Sequence, residues 1–193
     1  MNHAAAIEHI IKILEEGLSS ELHYHAPQHT IDVLQAAELI AQKEALSEKD
    51  LALLKVAVAY HDSGFLSTYA NHEEAGVQIA ENVLPQFNFN DGDIELIANM
   101  IRATKIPQQP KSLLEKIICD ADLFYLGGNY YYSISHGLYS ELKARNPELS
   151  KEQWLEMQIS FLEQHEYWTD FCKTERQAAK LKILADLKSK RVA

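Results

Sequence analysis

The sequence predicts an all-α fold of roughly eight or nine helices. Apolar residues recur at helical spacing along almost the whole chain, and helix-start signals are frequent. No segment shows the sustained apolar–polar alternation that a half-buried strand needs. The first helix follows from Ile7, Ile10, Ile11 and Leu14, which form one stripe in MNHAAAIEHIIKILEEG. Ile31, Val33, Leu34, Ala37, Ile40 and Ala41 form the second, with Pro27 suited to its first turn. Later helices open where a capping residue is followed three positions on by an acid or amide: Ser47…Asp50, Asn71…Glu74, Ser112…Glu115 and Ser150…Gln153. Breaks fall near Gly17–Ser20, Ser63–Thr68, Pro85–Asp93, Pro107–Pro110, Gly127–Asn129 and Asn146–Pro147. The segment NFNDGD (88–93) has the look of a calcium loop. Setting Gly92 at the turn position puts Phe87 and Phe89 where oxygen ligands belong, so that reading fails.

Length and charge narrow the function. A chain of 193 residues is read as one domain, and it can bury about 70% of its unfolded surface without help from a disulfide or metal. A metal ion here would therefore serve chemistry. With 18 basic and 28 acidic residues the net charge is −10, which disfavours a nucleic-acid polymer as partner. A small phosphorylated substrate remains compatible, because one cation can offset its charge locally. No apolar run reaches membrane-spanning length, and the N-terminus lacks the basic and apolar regions of a signal peptide. Cys119 and Cys172 sit in apolar runs with no metal-type spacing, so reduced thiols and a cytoplasmic location are expected. A homodimer is left open.

Three polar intrusions into apolar segments mark where chemistry would sit. In VAVAYHDSG, a buried helix ends in His61-Asp62, a pair that balances the helix dipole or serves a ligand. In ICDADLFYLGG, Asp120 and Asp122 interrupt an apolar run and, two residues apart, face different sides of a helix. His29 lies on the inner side of the second helix. Two imidazoles and acids from separate helices suit a divalent transition metal or manganese, with positions open for water and substrate. His3, His9, His23 and His136 read as surface or interface residues. His165 divides between a pocket rim and a packed helix cap.

The blocks YHAPQHTIDVL, LKVAVAYHDSG, NHEEAGVQIAENVL and ICDADLFYLG, in this order, resemble the HD superfamily of metal-dependent phosphohydrolases from about Tyr24 to Gly128. The resemblance implies an HD-type helical bundle: a core over about 24–128, with helices in 129–193 completing the pocket. It implies one divalent ion (Mn, Fe, Zn or Mg) held by His29, His61, Asp62 and Asp122, with Asp120 as a supporting residue. It also implies that metal-bound hydroxide attacks the phosphorus of a small phosphate ester, a nucleotide or related metabolite, with P–O cleavage. Asp62 would orient the attacking water. His72, beside Glu73, would hold the phosphoryl group or protonate the leaving oxygen. Arg102 and Lys105 in MIRATK are the basic candidates for phosphate contact. His25, four residues before His29 with Pro27 between, stays outside the ligand set.

The departures also matter. Two-metal members carry a further histidine in the block matching MIRATK, where none exists here, so a single ion is expected. Family nucleotidases have an acid three residues after the paired Asp, and here that residue is Phe65. The rival reading is a non-catalytic metal- or ligand-binding sensor or interaction module. For either, Tyr130, Tyr131, Tyr132, Trp154, Phe161, Tyr167 and Trp168 could wall a pocket for a planar group.

Overall fold

The computed structural model describes residues 1–191, and among them there is no strand. Ten α-helices follow in order: α1 (His3–Gly17), α2 (Pro27–Lys43), α3 (Glu48–Tyr60), α4 (His72–Val83) and α5 (Asp91–Ala103). Then come α6 (Leu113–Asp122), α7 (Tyr131–Arg145), α8 (Lys151–Gln164), α9 (Asp170–Glu175) and α10 (Gln177–Arg191). Single 3₁₀ turns at Ser63–Leu66, Leu84–Phe87 and Phe124–Gly127 bend the chain between them. The architecture is all-α, and nine of the ten helices span seven residues or more.

Most helix starts follow their sequence signals. Ser47, Ser112 and Ser150 accept from the backbone N–H three residues on, and Gln153 returns a bond to complete a capping box at Ser150. Pro27 occupies the first turn of α2. In the NFNDGD segment Asn90 caps α5 by accepting from the N–H of Asp93. Asn71 departs from expectation. Its backbone is left-handed (φ 57°, ψ 39°), a conformation asparagine tolerates, and its side chain caps nothing. Lys105 Nζ donates to that side chain instead, at 2.7 Å.

The core has two parts. In the larger, α3 is buried on almost every side from Leu53 to Tyr60, against α1, α2, α5 and α6. Such a helix needs no polar face until it ends. The smaller cluster joins Leu123 and Leu126 to α7, α8 and α10. Polar ties link the two: Asp120 accepts from Trp168 N, Thr169 N and Thr169 Oγ1, and Glu44 accepts from Phe171 N. Asp120 is fully buried by this task and turned to the C-terminal segment, so its expected role beside a metal gives way to anchoring α9. Cys119 and Cys172 are buried free thiols, and burial pushes both up, Cys172 to about 12. No helix among the described residues is long and apolar enough to cross a membrane.

Candidate metal centre and its cavities

Three helix ends converge on one point. His29 stands in the first turn of α2, His61 closes α3, and Asp122 is the last residue of α6. Donor atoms of these three residues lie within 4.8 Å of one another. His29 Nε2 is 3.1 Å from Asp122 Oδ1 and 3.5 Å from Asp62 Oδ2. His61 Nε2 is 3.2 Å from Asp62 Oδ2 and 3.7 Å from Asp122 Oδ1. The chain reaches this arrangement because α3 stops at His61 and turns through Ser63–Leu66, where Ser63 Oγ donates to the carbonyl of Tyr60. Gly64 then lets the turn press on the start of α4, since a Cβ there would collide with the carbonyl of His72. Gly76 does the same one helical layer on, where a Cβ would come within 3.1 Å of the carbonyl oxygen of Tyr60. The two glycines bring His72 and Glu73 beside Asp62.

Imidazoles and carboxylates set one another's charge at this point. Burial opposes charge on His61, yet Asp62 and Asp122 outweigh it and pull the imidazole well above its ordinary value. Burial would raise both carboxyls as well. Instead His61 holds Asp62 far below the carboxylate range, and His29 and His61 bring Asp122 down to about 2. His61 Nδ1 is 2.7 Å from the carbonyl of Val58, which can only accept, so Nδ1 carries a proton. That leaves Nε2 to face the carboxylates. Among the described residues His61 Nε2 and Asp62 Oδ2 are buried without a hydrogen-bond partner. Buried polar atoms are rarely left so unless something else occupies them. An imidazole fixed through Nδ1–H and bearing its free nitrogen toward acids is the usual bearing of a metal-ligating histidine. The residues present therefore fit a divalent cation, and the His29–His61–Asp122 group could bind one.

Two cavities meet at Asp122 and share Tyr24 and Tyr125. One, of about 640 Å³, is lined by the polar His25, Asp62, His72 and Glu73 together with the apolar Leu126, Leu142, Trp154, Met157 and Phe161. The second, of about 700 Å³, reaches His29 from beside α2 and is edged by Asp32, Asn129, Tyr130 and Arg176. His72 lines the smaller cavity with Nε2 3.6 Å from Asp62 Oδ1 and 3.7 Å from Glu73 Oε1. Phe65, three residues after Asp62, stacks on both His25 (4.1 Å between centroids) and His72 (4.0 Å).

Other expectations need correction. Arg102 and Lys105 line neither cavity. Arg102 grips Glu74 with two bonds of 2.9 Å, and Lys105 is committed to Asn71. An exposed arginine fork finds the nearest carboxylate, and Glu74 on α4 meets it. Of the aromatic set, Tyr131, Trp154 and Phe161 line the smaller cavity and Tyr130 the larger. Tyr132 donates to Asp186 at the surface, Tyr167 is core, and Trp168 serves Asp120 through its backbone. His165 is a packed residue: burial and the neighbouring Lys180 press its imidazole down to about 3. Sequence reasoning missed Glu141. This acid in the plain helical run SELKAR is 1% exposed and bonds the ring of His25. Nothing in its local pattern separates it from a solvated helix face.

The HD domain family matches residues 28–125, which takes in His29, His61, Asp62 and Asp122. The chain belongs to that family. Membership supports metal-dependent phosphohydrolase chemistry in general. Solved structures of the same fold cover nearly the whole chain. One, described as a predicted HD superfamily hydrolase from an uncultured Thermotogales bacterium, is 20% identical, covering 96% of this chain and 91% of its own, with TM-score 0.65. A Lactobacillus plantarum protein is 17% identical (100% and 99% covered, TM-score 0.69). Bacillus subtilis YpgQ in complex with ADP is 18% identical (98% and 97% covered, TM-score 0.66). No curated protein matches. The HD-type centre thus sits in a fold whose α7–α10 also have counterparts in these structures.

Proposed function

We propose that this HD-domain chain is a phosphohydrolase that cleaves a P–O bond of a small phosphate ester, a nucleotide or related metabolite. His29, His61, Asp62 and Asp122 would hold one divalent ion, Mn, Fe, Zn or Mg. The single observation that carries the reading is the pair of buried atoms without a hydrogen-bond partner among the described residues, His61 Nε2 and Asp62 Oδ2, next to a cavity that Asp62 lines and that is large enough for a nucleotide. Such an ion acidifies coordinated water and polarises a phosphoryl oxygen. Asp62 is suited to orient the attacking water through Oδ1, the oxygen that faces His72. His72 and Glu73 form the polar rim, with the imidazole available to the phosphoryl group. Trp154 and Phe161, which line the same cavity, offer flat faces for a base. The ADP held by YpgQ, a protein of the same fold, supports nucleotides as the class to test first.

The test is phosphate release from nucleotides, cyclic nucleotides and sugar phosphates with added Mn²⁺. Release that disappears in His61→Ala, while the variant's circular dichroism and melting remain cooperative, supports the reading. A metal-loaded wild-type chain that releases nothing from the whole panel overturns it in favour of a non-catalytic binding module.

A further inference from the structure

Within that reading, the geometry points to His25 as the residue that protonates the leaving oxygen, with Glu141 as its positioning residue. His25 lines the smaller cavity beside Asp62 and His72, its ring centroid 6.0 Å from that of His72. Its Nδ1 is 2.6 Å from Glu141 Oε1. Glu141 is 1% exposed, and its other oxygen accepts from the backbone N–H groups of Tyr24 (3.0 Å) and His25 (3.2 Å). Tyr69 donates its hydroxyl to Oε1 at 2.9 Å. Burial would raise the Glu141 carboxyl, but the His25 ring and the two N–H groups outweigh it and bring it to about 2. The carboxylate is therefore charged and can only accept, which fixes the proton of His25 on Nδ1. Nε2 is left without a protein partner among the described residues.

A histidine oriented through Nδ1 by a buried carboxylate, lining a cavity and with its second nitrogen unpaired, is built to carry a proton to and from a reacting group. Hydrolysis of a phosphate monoester forms one P–O bond from water and breaks one to the leaving oxygen. In the imidazolium form Nε2 gives its proton to that oxygen as the bond breaks, and the alcohol departs neutral. The ring regains a proton released from water, so the net change is ROPO₃²⁻ + H₂O → ROH + HPO₄²⁻. His72 lacks such an anchor. Its Nδ1 meets only the carbonyl of Tyr69 at 3.4 Å, and its Nε2 is drawn toward Asp62 and Glu73. The two imidazoles divide the work, His72 on the phosphoryl side and His25 on the leaving-group side. Phe65, stacked on both, keeps their separation.

The test compares leaving groups in the wild-type chain, His25→Gln and Glu141→Gln. For nucleoside monophosphates and alkyl phosphates, whose leaving oxygens need a proton, kcat should fall about 10²–10⁴-fold in His25→Gln. For p-nitrophenyl phosphate, whose leaving group departs as the anion, the fall should stay within about tenfold. Glu141→Gln should show the same selectivity more weakly. A ¹⁵N-histidine spectrum should show the Nδ1–H form of His25 in the wild type and its loss in Glu141→Gln. Bound metal should be equal in wild type and His25→Gln. An equal loss on both substrate types, a loss of bound metal, or an Nε2–H form of His25 each overturns the proposal while leaving the phosphohydrolase reading intact. No hydrolysis of any ester by the wild type overturns both. If Glu141→Gln does not fold, His25→Gln and the wild-type spectrum still decide.

Discussion

Asp120 and Asp122 stand two residues apart on α6, both in apolar surroundings, and the chain treats them in opposite ways. Asp120 is fully buried and takes three hydrogen bonds from Trp168 and Thr169. Burial pushes its carboxyl up. Asp122 is approached by two imidazoles, is drawn down to about 2, and opens on both cavities. On the face of α6 toward the C-terminal helices the acid is satisfied by backbone and hydroxyl donors. On the face toward α2 and α3, Asp122 meets His29 beside two buried atoms of the α3 end, His61 Nε2 and Asp62 Oδ2, that have no hydrogen-bond partner among the described residues. A satisfied buried acid is structural glue, and buried polar atoms without a hydrogen-bond partner mark where a ligand would bind.

The largest expected effect would break that comparison outright. His61→Ala, Asp62→Ala or Asp122→Asn should abolish turnover while the apo-protein still melts cooperatively, because the apolar core around α3 remains. Wild-type chain should gain stability on metal addition, about 2.7 kcal/mol when free metal is a hundred times its dissociation constant. The Asp122→Asn melting temperature should barely respond. Thermal melts with and without Mn²⁺, alongside phosphate release, check both halves. Full turnover in any of these variants would show that the orphaned donors are not the site.

Asp120→Ala should do the reverse. It strands two backbone N–H groups and a hydroxyl, each worth about 1–3 kcal/mol when buried unmade, so a loss of at least about 3 kcal/mol is expected. At this chain length that is roughly 6–12 °C of melting temperature. Turnover per folded molecule should stay close to wild type. A melting temperature within about 2 °C of wild type, or a selective loss of turnover, would put Asp120 on the catalytic side of the helix.

The C-terminal side also has a pH signature. In the unfolded chain the His165 imidazole takes a proton below its ordinary value of 6.5, but in the fold it stays neutral down to about 3. Acid therefore favours the unfolded chain, and this contribution to stability is present above pH 6.5 and lost as pH falls toward 3. His165→Gln should flatten the melting temperature over that window. An unchanged slope would mean that the loss belongs to other groups.

Much of this contrast was legible in the sequence. His29, His61 and the Asp120–Asp122 pair announce themselves because an ionisable residue in an apolar helical run must have a reason to be there, and the resemblance to the HD superfamily singled out Asp122 of the two. The serine caps, Pro27 and the breaks were equally local signals. What could not be read were partners distant along the chain: Glu141 is 116 residues from His25, and Asp120 is 48 and 49 residues from its donors. Asn71 has the residue types of a capping box, yet its left-handed backbone turns the side chain away. Phe65 looked like a missing acid, and stacking on two imidazoles is a role only the fold reveals.

Arg102 gives the smallest and most diagnostic effect. An acidic chain has few cations, so one near a candidate phosphate site draws suspicion, but a charge contributes only where its field is not already spent. The fork of Arg102 is closed on Glu74, with Glu81 4.0 Å away, and all three side chains are exposed. Exposed pairs of this kind contribute about 0–1 kcal/mol. Arg102→Ala should therefore shift stability by no more than about 1 kcal/mol and leave kcat/KM within about twofold. A tenfold rise in KM for a nucleotide, with kcat unchanged, would mean that Arg102 leaves Glu74 to bind phosphate. The phosphate would then be met from the α4–α5 surface as well as from the cluster of α2, α3 and α6.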